Sequence, residues 1–182
     1  MKKITIFIGS PRKNGNSEIM ADELLKYLNV EKFIYEKLYL YDFEIKACTD
    51  CRICKKGKMI CPLDDGMKDL YSKIDDSDIL IFASPIYWFG PSAVTKLLLD
   101  RFRPYYGNKK LLGKKAALLL PAGTGEKDCD LCIEMFKRSF DALGIKFIGE
   151  VSAEAYDEGD VYNDKKALEK TGLLAMKISK EF

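Results

Sequence analysis

Cys48, Cys51 and Cys54 recur at every third residue, and Cys61 follows after six more with Pro62 next. Three thiolates so spaced can take three corners of one small inorganic centre, while a short excursion through Gly57 brings in the fourth. A [4Fe-4S] cluster is the leading assignment. Structural zinc is the main alternative, although its cysteine sites usually come as two separated pairs and this run shares its middle cysteine. Vacant or redox-active thiols are the third. Across the same stretch Lys46, Arg52, Lys55, Lys56 and Lys58 face only Asp50, a positive field that favours thiolates or an anionic centre, or else marks a solvated basic loop. Cys129 and Cys132 form an isolated pair, better read as ordinary reduced cysteines than as a second redox centre.

The 182 residues include no histidine. That removes the commonest general base, the triads built on it, and every His-containing zinc or haem site. Chemistry must then run through cysteine, backbone amides or a bound cofactor, and no side-chain catalyst is assigned. With 30 basic and 28 acidic residues the net charge is +2, too balanced for a general nucleic-acid or membrane-surface binder. The apolar start Ile4–Ile8 is too short for a signal peptide, and no apolar run reaches membrane-spanning length. A soluble, cytoplasmic protein with reduced thiols is expected.

Three loops carry the remaining chemistry. Residues Gly9 to Ser17 (GSPRKNGNS) lie between a strand and a helix, where backbone amides and the helix dipole favour an anion. They match neither the nucleotide-triphosphate loop nor the dinucleotide fingerprint. A phosphate monoester such as that of FMN suits them best, with Ser10, Arg12, Asn14, Asn16 and Ser17 as candidate contacts. The plainer reading is a polar turn in which Asn16 or Ser17 caps the helix. In the second loop, Ser84 to Ser92, two prolines and a glycine stop an aromatic run from continuing as strand. Pro85, Ile86, Tyr87, Trp88, Phe89 and Gly90 would then display a surface for a flat redox-active ring, core packing being the alternative. The third loop, Ala122, Gly123, Thr124 and Gly125, lets a backbone approach a flat ligand, and by itself is also ordinary turn chemistry.

The elements that must position these loops alternate. Strand-like runs at Lys3–Gly9, Lys32–Tyr41, Asp78–Ser84, Lys115–Pro121 and Ile145–Val151 interleave with helical patterns at Ser17–Asn29, Gly66–Ile74, Ser92–Phe102, Asp130–Leu143 and Asn163–Ser179. The pattern predicts an α/β, flavodoxin-like three-layer sandwich around a five-stranded parallel sheet of order 2-1-3-4-5, with ligands beyond the carboxyl ends of the strands. All 182 residues read as a single domain, with a cysteine-rich insertion at about 44–65.

On these residues the chain resembles the iron-sulfur flavoproteins within the NADPH-dependent FMN reductase group of flavodoxin-like proteins. The resemblance covers most of residues 1–150, through Gly9-Ser10-Pro11-Arg12 to Asn16-Ser17, the four cysteines followed by Asp64-Asp65, Ser84-Pro85-Ile86-Tyr87, and Lys96 through Asp100-Arg101. It implies that Ser10, Arg12, Asn16 and Ser17 hold the FMN phosphate, that residues 85–90 line the ribityl chain and ring, and that residues 122–125 close the ring site. It implies a cluster on Cys48, Cys51, Cys54 and Cys61, and a homodimer or homotetramer. The expected activity is an FMN-dependent oxidoreductase passing electrons between NAD(P)H, or a reduced ferredoxin-like carrier, and an acceptor. A cluster-free NAD(P)H-dependent FMN or quinone reductase, a non-enzymatic electron carrier and a zinc-stabilised binding module are the alternatives.

Overall fold

The computed structural model describes residues 1–182. Its strands β1 (Lys2–Ile8), β2 (Phe33–Tyr39), β3 (Ile79–Ala83), β4 (Lys115–Ala122) and β5 (Lys146–Glu154) form one parallel sheet of order β2-β1-β3-β4-β5. The register sets Lys2 opposite Phe33, Ile4 opposite Ile79, Ile79 opposite Lys115 and Lys115 opposite Lys146. This is the flavodoxin-like order expected from the alternation of elements.

Successive strand side chains point to opposite faces, so a strand covered on both sides must be apolar throughout. Ile4, Ile6, Ile8, Ile79, Ile81 and Leu119 pack against Met20 and Leu24 of α1 (Asn16–Lys26) and Leu174 and Ile178 of α6 (Lys165–Lys180). On the other face Phe7, Leu80, Phe82, Leu118 and Leu120 meet α2 (Met67–Asp76), α3 (Ala93–Asp100), α4 (Arg103–Asn108) and α5 (Asp130–Leu143). Phe82 centres that layer, with the rings of Phe7, Phe102, Phe136 and Phe140 between 5.1 and 6.2 Å away.

Beyond small shifts at the ends of the first helix and the last strand, three departures from the sequence reading bear on the site. The predicted strand over 32–41 ends at Tyr39, where Leu40–Asp42 turn as a 3₁₀ helix. The helix predicted to run to Phe102 stops at Asp100, and α4 restarts with Pro104 in its first turn, a position where a missing N–H costs nothing. Residues 84–92 are not an open loop. Ile86–Tyr87 pair antiparallel with Gly90–Pro91 as a small hairpin.

Because the strands are parallel, the loops after β1, β3 and β4 leave from one edge, at Gly9, Ser84 and Gly123. The strand order reverses at β1, which opens a crevice beside it. Gly9 is fitted to that crevice, since a Cβ there would overlap the Thr95 hydroxyl oxygen and lie 3.0 Å from that of Ser92. Gly9→Ala is accordingly expected to lower stability by about 1–3 kcal/mol through overpacking. Equilibrium chemical denaturation measures this, and an unchanged midpoint would contradict the packing.

Candidate functional site

The first loop connects β1 to α1 and leaves several donors free. Gly15 holds the N-cap position and no side chain caps the helix, so neither Asn16 nor Ser17 acts as the plain cap. The N–H groups of Asn16 and Ser17 find no acceptor within the chain. Ser17 is 1% exposed, and its buried hydroxyl has no partner either. An unpartnered buried hydroxyl costs about 1–3 kcal/mol, and two free amides at a helix N-terminus form a site for negative charge. Lys13 pairs with Asp42 at 3.7 Å, whereas the exposed Arg12 on the same loop pairs with no carboxylate. Ser10 Oγ accepts the Arg12 N–H at 3.1 Å and tucks the loop against the sheet edge.

Two candidates are engaged elsewhere. Asn16 donates from Nδ2 to the Asp157 carbonyl at 2.8 Å, and its Oδ1 accepts from the Gly159 and Val161 N–H groups at 3.0 and 3.4 Å. Its side chain therefore clasps the 157–161 turn to the first loop. Asn14 sits in the left-handed region at φ 59°, and its N–H donates to Glu18 Oε2 at 2.6 Å.

Glu18 was not singled out from sequence, yet it fixes the loop. Its carboxylate, 4% exposed on the first turn of α1, also accepts from Lys37 Nζ at 2.8 Å and from the Tyr39 hydroxyl, both on β2. Burial pushes the Glu18 carboxyl up. The hydrogen bonds from Lys37, Tyr39 and the Asn14 N–H outweigh it and hold the group below its ordinary value. The available signal was half of a capping box, with Glu18 three residues after Gly15.

The second loop turns at Trp88 and Phe89, whose φ angles are +51° and +64°. A two-residue hairpin of the I′ type needs positive φ at both central positions, a role usually given to Asn and Gly. Bulky side chains there carry strain of about 1–3 kcal/mol each, which is characteristic of functional segments. Trp88 is 95% exposed, and Tyr87 and Phe89 are about half exposed. Behind the hairpin, Ser84 Oγ accepts from the Ser92 N–H at 3.0 Å and the Thr95 hydroxyl at 3.3 Å, and the hydroxyls of Ser92 and Thr95 meet at 3.0 Å. These three buried residues fasten the hairpin to the start of α3.

The third loop follows β4. Ala122 is buried, and its carbonyl accepts the Ala155 N–H at 2.8 Å. Gly123 lies under the ring of Tyr156, which a Cβ would approach to 3.0 Å. Gly125 takes φ +68°, and Thr124 is exposed. Cys129 and Cys132 are buried below, with Cys129 Sγ 3.4 Å from the Gly125 carbonyl. Burial raises both thiols, as suits packing rather than reactivity.

The cysteine segment runs between β2 and α2. Asp50, Arg52, Gly57 and Met59 all take positive φ, so the chain winds tightly. Asp50 pairs with Arg103 at 2.9 Å and fastens the first turn to α4. Met59 passes over Gly107, where a Cβ would meet its sulfur at 2.9 Å. Cys48, Cys51, Cys54 and Cys61 line one recess together with Leu63, Arg101 and Arg103. No three His, Cys, Asp or Glu side chains are drawn together so as to hold a single metal ion. Burial, and then the neighbouring Cys61, push the Cys54 thiol up. Asp65 accepts the Met67 N–H at 3.1 Å, and its main partner is Arg101 at 2.5 Å. No helix is long and apolar enough to cross a membrane.

The family described as NADPH-dependent FMN reductase matches residues 2–158. An "Iron-sulfur flavoprotein" of Archaeoglobus fulgidus is 33% identical over 184 residues, covering 100% of this chain and 80% of that protein. A Bacillus subtilis protein provisionally named NAD(P)H-dependent FMN-containing oxidoreductase YwqN is 32% identical over 174 residues, covering 91% of this chain and 92% of its own. Among solved structures, the Trp repressor binding protein from Bacillus subtilis superposes with a TM-score of 0.71 at 25% identity, covering 95% of this chain and 96% of that one.

The Glu18 network has a measurable signature. A carboxyl whose folded pKa is lowered adds stability that is complete above its unfolded value, near 4.5, and is lost as pH falls through the folded value. Glu18→Gln should therefore lose less stability than the wild type on acidification from about pH 5 to pH 3. Denaturation midpoints across that window decide it, and parallel curves would remove the role given to Glu18.

Proposed function

The chain belongs to the NADPH-dependent FMN reductase family, and from that premise we propose that it is an FMN-containing oxidoreductase of the iron-sulfur flavoprotein type. It passes electrons between NAD(P)H, or a reduced ferredoxin-like carrier, and an acceptor. One observation carries the placement of the flavin. At the first loop a buried hydroxyl without a partner, two free helix N-terminal amides and an unpaired guanidinium stand beside the strand-order crevice. That donor set fits a phosphate monoester.

When bound, FMN supplies hydride and electron transfer, and a [4Fe-4S] centre single-electron steps. The chain's part is to bind, orient and shield. Ser10, Arg12 and Ser17, with the amides of 16 and 17, hold the phosphate, while Asn14 and Asn16 shape the loop. Pro85, Ile86, Tyr87, Trp88, Phe89 and Gly90 line the ribityl chain and ring. Ala122, Gly123, Thr124 and Gly125 let the backbone approach the ring's polar edge, with Tyr156 beside them. No side chain acts as acid or base in this reading.

The cluster assignment rests on four cysteines lining one recess, on the cations around it, and on relatives named iron-sulfur flavoproteins. A cubane places each thiolate on a different iron, so it asks for a wider set than a single ion does. The chain works as one flavodoxin-like unit carrying the cysteine insertion. It resides in a reducing cytoplasm and assembles as a homodimer or homotetramer that covers the exposed Trp88.

Anaerobic purification followed by analysis of FMN, iron and labile sulfide tests the reading. Bound FMN with about four iron and four sulfide per chain is the expected composition. FMN without iron or sulfide would select the cluster-free reductase, and no affinity for FMN would end the proposal. Arg12→Ala and Ser17→Ala should each weaken FMN binding at least about tenfold, since hydrogen bonds to a charged group are lost. Flavin fluorescence titration measures this, and unchanged affinity in both variants would remove the phosphate from this loop.

A further inference from the structure

Arg101 follows α3 with its side chain 1% exposed, against an Asp65 side chain that is fully buried. Its Nη1 donates to Asp65 Oδ2 at 2.5 Å and to the Lys46 carbonyl at 2.7 Å. Its Nη2 donates to Asp65 Oδ1 at 3.2 Å and to Cys61 Sγ at 3.3 Å. The remaining donor, Nε, is buried without any partner. Asp65 is held in turn by the N–H groups of Lys46 and Met67 at 2.9 and 3.1 Å, and the Tyr71 hydroxyl donates to the Arg101 carbonyl at 2.6 Å.

A buried ion pair is weak evidence for stability, because apolar residues of similar volume often do as well. What distinguishes this one is where its fork reaches. Lys46 lies just before Cys48, and Asp65 just after Cys61, so one guanidinium joins the two ends of the cysteine segment. It also touches the sulfur that the sequence spacing leaves furthest from the other three. Lysine, a point charge without the planar fork, cannot serve the carboxylate, the carbonyl and the sulfur in this geometry.

We propose that Arg101, oriented by Asp65, is a positioning residue for the cysteine set, holding Cys61 beside Cys48, Cys51 and Cys54 and setting a buried positive charge against an anionic thiolate centre. The role rests on the cluster reading above. Net charge and hydrogen bonds to sulfur tune such a centre, so removing this donor alters both its retention and its reduction potential.

The test compares wild type with Arg101→Lys and with the double variant Arg101→Met/Asp65→Asn, which leaves no lone charge in the interior. Each is purified anaerobically, analysed for FMN, iron and sulfide, and titrated spectroscopically for cluster potential. In the double variant FMN should stay at the wild-type level while iron and sulfide fall at least about threefold. Any remaining cluster should titrate at a more negative potential, and Arg101→Lys should fall between the two. Full iron and sulfide at an unchanged potential would overturn the proposal and leave the cluster reading intact. Wild-type protein carrying FMN but neither iron nor sulfide would overturn the cluster reading, and this role with it. If the double variant loses FMN as well, Arg101→Lys decides: with FMN retained, a diminished or shifted cluster supports the proposal and an unaltered one overturns it.

Discussion

A parallel sheet sends every connection back across its face, so each strand delivers its following loop to the same edge. That constraint governs the rest of this protein. The three strands nearest the centre, β1, β3 and β4, are the most deeply buried, and the loops they release carry the candidate flavin-binding groups. Rigid apolar packing below, centred on Phe82, is what allows strained backbone and unpartnered polar groups to persist above.

Helix α3 gives the second constraint. The segment that leads into it places Ser92 among the hydroxyls behind the aromatic hairpin, and Arg101 at its far end enters the cysteine recess. Eight helical residues span about 12 Å. The two regions that sequence presents as separate motifs are thus mounted on one short rigid element. Glu18 performs a comparable service for the first loop, tying it through Lys37 and Tyr39 to β2. Glu18 is matched by several donors and Arg101 by several acceptors, which offsets part of the cost of taking each charge out of water.

Much of this was legible in the chain. The strand order followed from alternating elements, and the three loops were found by composition because Gly, Pro, Ser and Asn mark turns for local steric reasons. The small hairpin was not, since its tip is Trp88-Phe89 and those residues ordinarily avoid positive φ. The capping reading of Asn16 and Ser17 was locally reasonable. It failed because Gly15 takes the cap position and Asn16 is drawn to the 157–161 turn, a partner more than a hundred residues away in sequence.

The sequence by itself determined what is local or periodic: where the five main strands and most of the helices lie, that both faces of the sheet are covered, which residues are candidates to meet an anion or a metal centre, and that no histidine takes part. Tertiary structure decided which of those groups remain free. Asp65 meets Arg101, Glu18 meets Tyr39, and Ser17 meets nothing, and none of these outcomes leaves a mark in spacing. The reason is physical: hydrogen-bond partners and the dielectric around a charge are properties of the packed interior, set by segments distant in the chain.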